Sequence, residues 1–238
     1  MAGPLPILHV VCDIAYHPPR VTRTADQIAD LIRARIERGL LLPGQRVSQR
    51  EIAELFSTST TPVREAFQVL VTQGFMRIDR NRGAVLERPG PAQIREIYAI
   101  RKALEALAVR QAIANLTSAD CARLEELVEA MSAAPGSGER AALNREFHSE
   151  LYGASGMPRL VGLISQLRAA VSYYIERAYQ RQESAGEAVA DHMAILAACR
   201  KGDGDAAAHL LIQHLEKTEA VALASAEELE LAGAALYP

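Results

Sequence analysis

Tryptophan is absent from this chain of 238 residues, and aromatic residues make up only 5% of it. The sequence has no long apolar run and no low-complexity tract, so no membrane-spanning helix is expected. Hydrophobic residues nevertheless account for 49% of the chain, which is enough for one large or two modest cores. The composition therefore predicts a soluble, folded protein that has no contact with a membrane.

Cysteine is scarce as well. The three cysteines, Cys12, Cys121 and Cys199, form no CxxC pair and leave an odd count, which suits a reducing cytoplasm. Residues 1–21 contain a short apolar stretch, Ile7–Val11, with no positive charge before it, so we expect no signal peptide. We interpret residues 1–21 as an N-terminal extension, either loosely ordered or an arm that packs on a partner subunit. The expected location is the cytoplasm.

Lysine is missing from the first 90 residues, and the charge divides unevenly along the chain. Residues 1–90 hold 12 arginines against 9 acidic residues, a net charge of +3, whereas residues 91–238 hold 14 basic and 20 acidic residues, a net charge of −6. The run Pro89-Gly90-Pro91 between the two halves is typical of a domain boundary. We predict a basic domain over residues 22–87, a linker over residues 88–91 and an acidic domain over residues 92–232.

The most informative stretch of the basic domain covers residues 48–67. Ser48 and Glu51 have the spacing of a capping box, which starts a helix of about two turns before a polar cluster of serine and threonine. A second helix opens at Thr60 and stops at Gly74. The buried side of this second helix repeats at helical spacing through Val63, Ala66, Phe67 and Leu70. Two short helices joined by a tight polar turn predict a helix-turn-helix, whose second helix can enter the major groove of DNA.

A basic hairpin is predicted directly after the second helix. Phe75–Asp79 and Ala84–Leu86 have the pattern of short strands, and Arg80-Asn81-Arg82-Gly83 between them supplies residues that accept positive φ. Upstream, Thr24 and Gln27 cap a further helix with an apolar side. The order helix, turn, helix, helix, hairpin is that of a winged helix-turn-helix.

Residues 24–87 resemble the DNA-binding domain of the GntR family of bacterial transcription regulators, through the segments PGQRVSQREIAELF, STSTTPVREAF and QGFMRIDRNRGAVL. The resemblance implies a domain that binds double-stranded operator DNA. Where the family usually has arginine after the turn serine, this chain has Thr60, so a bidentate contact to guanine is missing. We expect the following residues to contact DNA rather than to form a solvated charged face: Arg50, Ser59, Thr60, Thr61, Arg64, Arg80, Asn81, Arg82 and Gly83.

Apolar spacing in the acidic half predicts six helices with short loops, which form an antiparallel bundle and make the fold class mainly α. Residues 92–222 resemble the FCD ligand-binding domain of the FadR-type branch, in its VanR-like subgroup. The resemblance rests on Arg101-Lys102-Ala103-Leu104-Glu105, Asn144-Arg145-Glu146-Phe147-His148, Asp191-His192, and Gly202-Asp203 leading to His214-Leu215. It implies a bundle pocket in which three histidines and one acid hold a metal, with a small organic acid bound on or beside that metal.

The resemblance identifies four candidate metal ligands, Asn144, His148, His192 and His214. Asn144 and His148 are four residues apart, about 40° around a helix, and therefore lie on one face, whereas His209 is about 140° from His214. Asn144 stands where the family usually has aspartate, so we expect weak or partial occupancy by zinc, nickel or manganese. The alternative for each histidine is an ordinary core or surface residue with a hydrogen bond.

Arg101 falls on the apolar side of its helix, and a buried guanidinium needs an anionic partner. The sequence is compatible with two partners for Arg101: Glu105, one turn further on, and the carboxylate of a bound effector. Tyr174 and Arg177 are neighbours on the long helix and are further candidates for the effector pocket. The alternative for those two residues is packing and a solvated face.

Together these features predict a metabolite-responsive repressor that acts as a homodimer on a pseudo-palindromic operator and is not an enzyme. One alternative is a DNA-binding protein whose bundle is stapled by a metal and has no effector. The other is a metalloenzyme bundle fused to a DNA-binding domain, in which Glu146 and Asp191 are the nearest candidates for a general base.

Overall fold

The computed structural model describes residues 23–37, 40–79, 83–180 and 185–236. The chain divides into two compact units, Met1–Arg88 and Pro89–Pro238. The described residues form nine helices and three strands, which confirms the mainly α fold class. None of the helices in these ranges is long and apolar enough to cross a membrane. The predicted N-terminal extension, residues 1–21, lies outside the described residues.

The first unit contains the predicted helix-turn-helix. Its elements are α1 (Ala25–Glu37), β1 (Arg46–Val47), α2 (Gln49–Leu55), α3 (Thr60–Thr72), β2 (Met76–Asp79) and β3 (Gly83–Leu86). The capping box opens α2, since Ser48 Oγ accepts from the Glu51 N–H at 3.1 Å and Glu51 Oε2 accepts from the Ser48 N–H at 2.8 Å. Gly74 follows α3 with a φ of 76°, a conformation that glycine adopts without strain.

Apolar side chains fix α3 to α1. Ile28 and Ile32 of α1 are fully buried, and so are Val63 and Leu70 of α3. The other side of α3 carries polar residues and is exposed to solvent. The hydrophobic pattern therefore orients α3 with one face in the core and one face free for contacts.

The strands form one antiparallel sheet in the order β1-β3-β2. Met76 pairs with Leu86 and Asp79 with Gly83, which is the predicted hairpin, and Arg46 pairs with Val85. The sequence did not predict β1, because a strand of two residues is too short to show alternation. The predicted hairpin tip, Arg80-Asn81-Arg82, lies outside the described residues.

Gly83 is the point at which the hairpin approaches β1. Its φ of +95° is one that residues with a side chain rarely adopt, and a Cβ at this position would lie 3.0 Å from the backbone oxygen of Val47. Gly74 shares the positive φ but has open space around the position of a Cβ. Glycine at position 83 therefore has a structural role, beyond the contact with DNA that the sequence predicted.

We expect Gly83→Ala to destabilise the sheet more than Gly74→Ala does. Both changes impose the strain of a positive φ, about 1–2 kcal/mol, but only the first also pushes a methyl group against a backbone oxygen. Hydrogen exchange of the amides in β1 and β3 measures the difference. Equal protection in the two variants would contradict the close approach at Gly83.

The second unit contains the six predicted helices. They are α4 (Pro91–Ile113), α5 (Ser118–Ala133), α6 (Ser137–Gly153), α7 (Pro158–Gln180), α8 (Ala185–Arg200) and α9 (Gly204–Leu236). Proline opens α4 at Pro91, a position where it is tolerated because the first turn needs no hydrogen bond from its missing N–H.

All six helices of this unit contribute to one apolar core. Fully buried members from successive helices are Tyr98, Leu124, Phe147, Ile164, Ile195 and Leu211. Ion pairs also join helices, as between Lys102 Nζ of α4 and Glu219 Oε2 of α9 at 2.8 Å. Such partly exposed pairs contribute little to stability, so apolar packing holds the bundle together. Three histidines are buried within this packing, and they are the most unusual feature of the unit.

Candidate functional site

The N-terminal end of α3 presents the candidate DNA-contacting residues. Ser59 is the N-cap residue in an extended conformation, and its side chain makes no capping hydrogen bond. Thr60, Thr61 and Arg64 follow, and all four residues are exposed. Hydroxyl groups, a guanidinium and first-turn N–H groups on one exposed surface are suited to phosphate oxygens and base edges.

The two arginines of the helix-turn-helix differ in their surroundings. Arg50 Nε forms an exposed ion pair with Glu54 Oε1 at 2.9 Å, and the hydrogen bond to Glu54 raises the pKa of Arg50. Arg64 makes no ion pair with any residue in the described ranges. Arg64 lies one turn after Thr60, on the exposed face of α3. Of these two arginines, Arg64 is therefore the better candidate for a contact with DNA.

A histidine cluster, defined as His148, His192 and His214, lies in the core of the second unit. The three side chains come from α6, α8 and α9, and each is at most 4% exposed. One ring nitrogen from each lies within 4.8 Å of the other two. His148 Nε2 and His192 Nε2 are 3.1 Å apart. Two imidazoles bound to one zinc ion, at about 2.0–2.1 Å each, hold their nitrogens at a similar separation.

Burial keeps two members of the cluster, His148 and His192, uncharged near neutral pH. Desolvation lowers the pKa of His148 well below its usual value, and the charge of Arg168 adds to the effect. The pKa of His192 is also lowered well below its usual value, mainly by desolvation and to a smaller extent by the neighbouring His214. Neutral imidazoles are the form that binds a metal, so these two rings need lose no proton near neutral pH.

Asn144 lies one turn before His148 on α6. Its side-chain oxygen is buried and has no hydrogen-bond partner in the described part of the chain. A buried acceptor without a partner is costly, and an amide oxygen is a possible metal ligand. His209, in contrast, is exposed on α9. The donor set of the histidine cluster with Asn144 nearby therefore fits a divalent transition metal.

Asp191 supports the cluster from outside. Its Oδ2 accepts from His214 Nδ1 at 3.2 Å, and its Oδ1 accepts from Lys217 Nζ at 2.7 Å. These hydrogen bonds lower the pKa of Asp191 to about 2, and the one from His214 has the larger effect. A carboxylate held in this way orients a histidine and is a poor general base.

Arg101 has the partner that the sequence offered as one alternative. Its Nε donates to Glu105 Oε1 at 2.7 Å, and both side chains are buried. Arg168 Nη1 lies 3.5 Å from Glu105 Oε2, to which the Tyr152 hydroxyl also donates. Burial alone would raise the pKa of Glu105, but the charges of Arg101 and Arg168 outweigh it and the pKa is lowered. Glu105 is therefore an ionised carboxylate inside the bundle.

The other two candidates for the effector pocket lie further along α7. The Tyr174 hydroxyl donates to the Pro89 oxygen at 2.6 Å, so it holds the start of the second unit. Arg177 is half-buried, and its Nε has no hydrogen-bond partner in the described ranges.

Sequence reasoning missed Tyr152 and Arg168. Tyr152 follows His148 by four residues on α6, and its hydroxyl lies 2.9 Å from His148 Nδ1. The same spacing rule that grouped Asn144 with His148 could have found it. Arg168 offered no such signal, because its partner Glu105 lies on a helix distant in sequence.

Known proteins share this architecture. Residues 24–86 match the bacterial regulatory proteins of the gntR family, and residues 96–217 match the FCD domain. The HTH-type transcriptional regulator McbR of Escherichia coli is 30% identical over 200 residues, covering 82% of this chain and 90% of McbR. The HTH-type transcriptional repressor RspR of E. coli is 28% identical over 202 residues, covering 80% and 85% of the two chains.

Solved structures give the same result. E. coli McbR/YncC has a TM-score of 0.77 at 29% identity and covers 85% of this chain and 98% of its own. A GntR transcriptional regulator from Rhodococcus sp. RHA1 has a TM-score of 0.71 at 25% identity, covering 84% and 97%. The chain therefore belongs to the GntR family and carries an FCD domain. It is a DNA-binding transcriptional regulator and not an enzyme, as the sequence predicted.

The buried histidines predict a pH dependence for the metal-free protein. The pKa values of His148 and His192 are lowered in the folded state, so the unfolded chain binds more protons once the pH falls below about 6.5. The contribution of these two histidines to the free energy of unfolding is fully present above that pH and is lost as the pH falls. The free energy of unfolding then decreases by up to about 1.4 kcal/mol per pH unit for each histidine.

Denaturant unfolding of chelator-treated protein between pH 7 and 5 measures this slope. His192→Gln should make the slope shallower, whereas His209→Gln, at an exposed position, should leave it unchanged. A slope that is the same in all three proteins would contradict the burial of neutral imidazoles.

Proposed function

We propose that this regulator is a repressor whose affinity for its operator is set by a small organic acid, bound at a metal centre in the second unit. The observation that carries the proposal is the histidine cluster, in which three helices each bury one imidazole at the same place. Burying polar rings is costly unless they gain partners, and a shared cation gives all three a partner at once. The relative RspR is named as a transcriptional repressor, which supports the proposal that this regulator represses transcription.

The DNA-binding part of the proposal assigns base and phosphate contacts to the exposed end of α3. Thr60 and Thr61 would contact phosphates or base edges, and Arg64 would reach a base edge in the major groove. A single helix-turn-helix contacts few bases, so we propose a homodimer on a pseudo-palindromic operator with half-sites one helical turn or less apart. The hairpin arginines Arg80 and Arg82 remain candidates for phosphate or minor-groove contacts.

Arg64→Ala should weaken operator binding by about 1–3 kcal/mol and blur the preference for operator over unrelated DNA, because a base contact is lost. Arg33→Ala is a matched control, since Arg33 lies on α1 and already pairs with Asp30. Fluorescence anisotropy with DNA flanking the protein's own gene measures both. The same isotherm for wild type and Arg64→Ala would refute the assignment of α3 as the reading helix.

The metal centre would use His148, His192 and His214, with Asn144 as the fourth protein ligand. When bound, the metal would supply a positive charge that attracts the carboxylate of an organic acid. Imidazole and amide ligands suit zinc, nickel or manganese. Asn144 brings no charge, so we propose that the site is filled weakly or only in part.

His192→Ala should lower zinc affinity by more than the roughly 10- to 100-fold that loss of an outer hydrogen bond costs, because a ligand itself is removed. Asn144→Asp should raise the affinity, since a carboxylate adds a charge beside His148. The control is His209→Ala, because His209 is exposed and lies on the same helix as His214. This variant should bind zinc as the wild type does. Calorimetry measures the zinc affinity of the variants, and elemental analysis measures their metal content. If neither His192→Ala nor Asn144→Asp alters these values, the histidines are core residues and not metal ligands.

The effector would bind beside the metal and reach Arg101. Glu105 takes the Nε donor of Arg101 at 2.7 Å, and a guanidinium has five N–H donors in all. An effector carboxylate can therefore bind the terminal nitrogens while Glu105 stays in place. Tyr174 and Arg177 remain candidates for the edge of the pocket. Effector binding would bias the placement of the two DNA-binding domains of the dimer and so change operator affinity.

One observation favours a second candidate, a metal-stapled DNA-binding protein without an effector. Arg101 already has an anionic partner in Glu105, so it does not need an external anion as a partner. A thermal-shift screen of metal-loaded protein against small carboxylic acids separates the two. A stabilising acid supports the sensor, and uniform melting temperatures support the stapled bundle.

A further inference from the structure

Tyr152 connects the histidine cluster to the buried ion pairs. It lies on α6 one turn after His148 and is only 1% exposed. Its hydroxyl oxygen is 2.9 Å from His148 Nδ1 and also contacts Glu105 Oε2. One hydroxyl group therefore has two partners, and it carries a single proton for them.

The direction of the two hydrogen bonds follows from Glu105. Its carboxylate lies 2.7 Å from Arg101 Nε and 3.5 Å from Arg168 Nη1. A carboxylate between two guanidinium groups is ionised and can only accept hydrogen bonds. The Tyr152 proton must therefore point to Glu105. The oxygen of Tyr152 is left as an acceptor, so the hydrogen bond with His148 must be donated by Nδ1–H.

This direction decides which nitrogen of His148 has a free lone pair. A neutral imidazole has one N–H, so a proton on Nδ1 leaves Nε2 unprotonated. Nε2 is the nitrogen that lies 3.1 Å from His192 Nε2. We infer that Tyr152, oriented by Glu105, is the positioning residue that holds His148 in the tautomer whose Nε2 can bind a divalent cation. The inference rests on the proposed function of the histidine cluster as a metal site.

His214 obtains the same tautomer by a different route. Its Nδ1 faces the carboxylate of Asp191 directly, at 3.2 Å. His148 instead has a tyrosine hydroxyl in contact and a carboxylate behind it. The chain Arg101, Glu105, Tyr152, His148 therefore joins the proposed effector arginine to one of the proposed metal ligands through three contacts.

The first test is zinc affinity. Tyr152→Phe keeps the ring but removes the hydroxyl, and should weaken zinc binding by about 10- to 100-fold. Tyr98→Phe is the matched control, because Tyr98 is fully buried in the same unit and its hydroxyl has no hydrogen-bond partner in the described ranges. This control should bind zinc as the wild type does. Calorimetry with zinc alone measures all three proteins.

The second test reads the tautomer itself and needs no metal. Long-range ¹H–¹⁵N NMR spectra of histidine-labelled, metal-free protein distinguish a protonated from an unprotonated ring nitrogen, and His148→Gln assigns the signal. We expect His148 in the wild type to carry its proton on Nδ1. We expect Tyr152→Phe to lose this preference and Tyr98→Phe to keep it. A change that only loosened the packing would not select one nitrogen.

The outcomes separate clearly. A wild-type His148 protonated on Nε2 overturns the inference, and so does Tyr152→Phe that binds zinc as tightly as the wild type. If Tyr152→Phe does not fold, the wild-type spectrum alone decides. If the wild type binds no zinc, the proposed metal centre fails, while the tautomer spectrum still decides whether Tyr152 positions His148.

Discussion

Burial of three imidazole rings at one place is the constraint on which the second unit depends most. Polar groups removed from water must find partners, and here two of the rings find them in separate places. His148 faces the Tyr152 hydroxyl and His214 faces the Asp191 carboxylate. The Tyr152 hydroxyl in turn requires Glu105, and the buried charge of Glu105 requires Arg101 and Arg168. One buried cluster thereby explains much of the polar chemistry inside an otherwise apolar bundle.

The first unit differs from the second in that its candidate functional groups are exposed rather than buried. Apolar residues on one side of α3 anchor it against α1, and this leaves Thr60, Thr61 and Arg64 in solvent. The small sheet beside α3 depends on a glycine at the start of β3, where a side chain would meet the backbone of β1. The distribution of charge along the sequence agrees with this difference, because a net basic unit suits binding to DNA. In the net acidic unit, the ion pair between Arg101 and Glu105 is buried.

Local features of the fold could be predicted from the sequence, and contacts between distant elements could not. The capping box at Ser48 and the glycine at position 74 mark helix ends through interactions within a few residues, so the helix-turn-helix was predictable. Asn144 and His148 share a helical face for the same reason. The meeting of His192 and His214 with His148 depends on how three helices pack, and it was expected only through the family resemblance. Arg168 and Glu105 lie on separate helices with no shared motif, so their pairing needed the structure.

In the proposed regulation, an organic acid at the metal centre changes the affinity of this regulator for operator DNA. The most direct measurement is fluorescence anisotropy of operator DNA titrated with protein across a panel of small carboxylic acids, using zinc-loaded and chelator-stripped samples. We expect at least one acid to shift the operator Kd of the zinc-loaded protein and to leave that of the stripped protein unchanged. An acid that binds the loaded protein by calorimetry but never changes the operator Kd, or that changes it equally without metal, would contradict it.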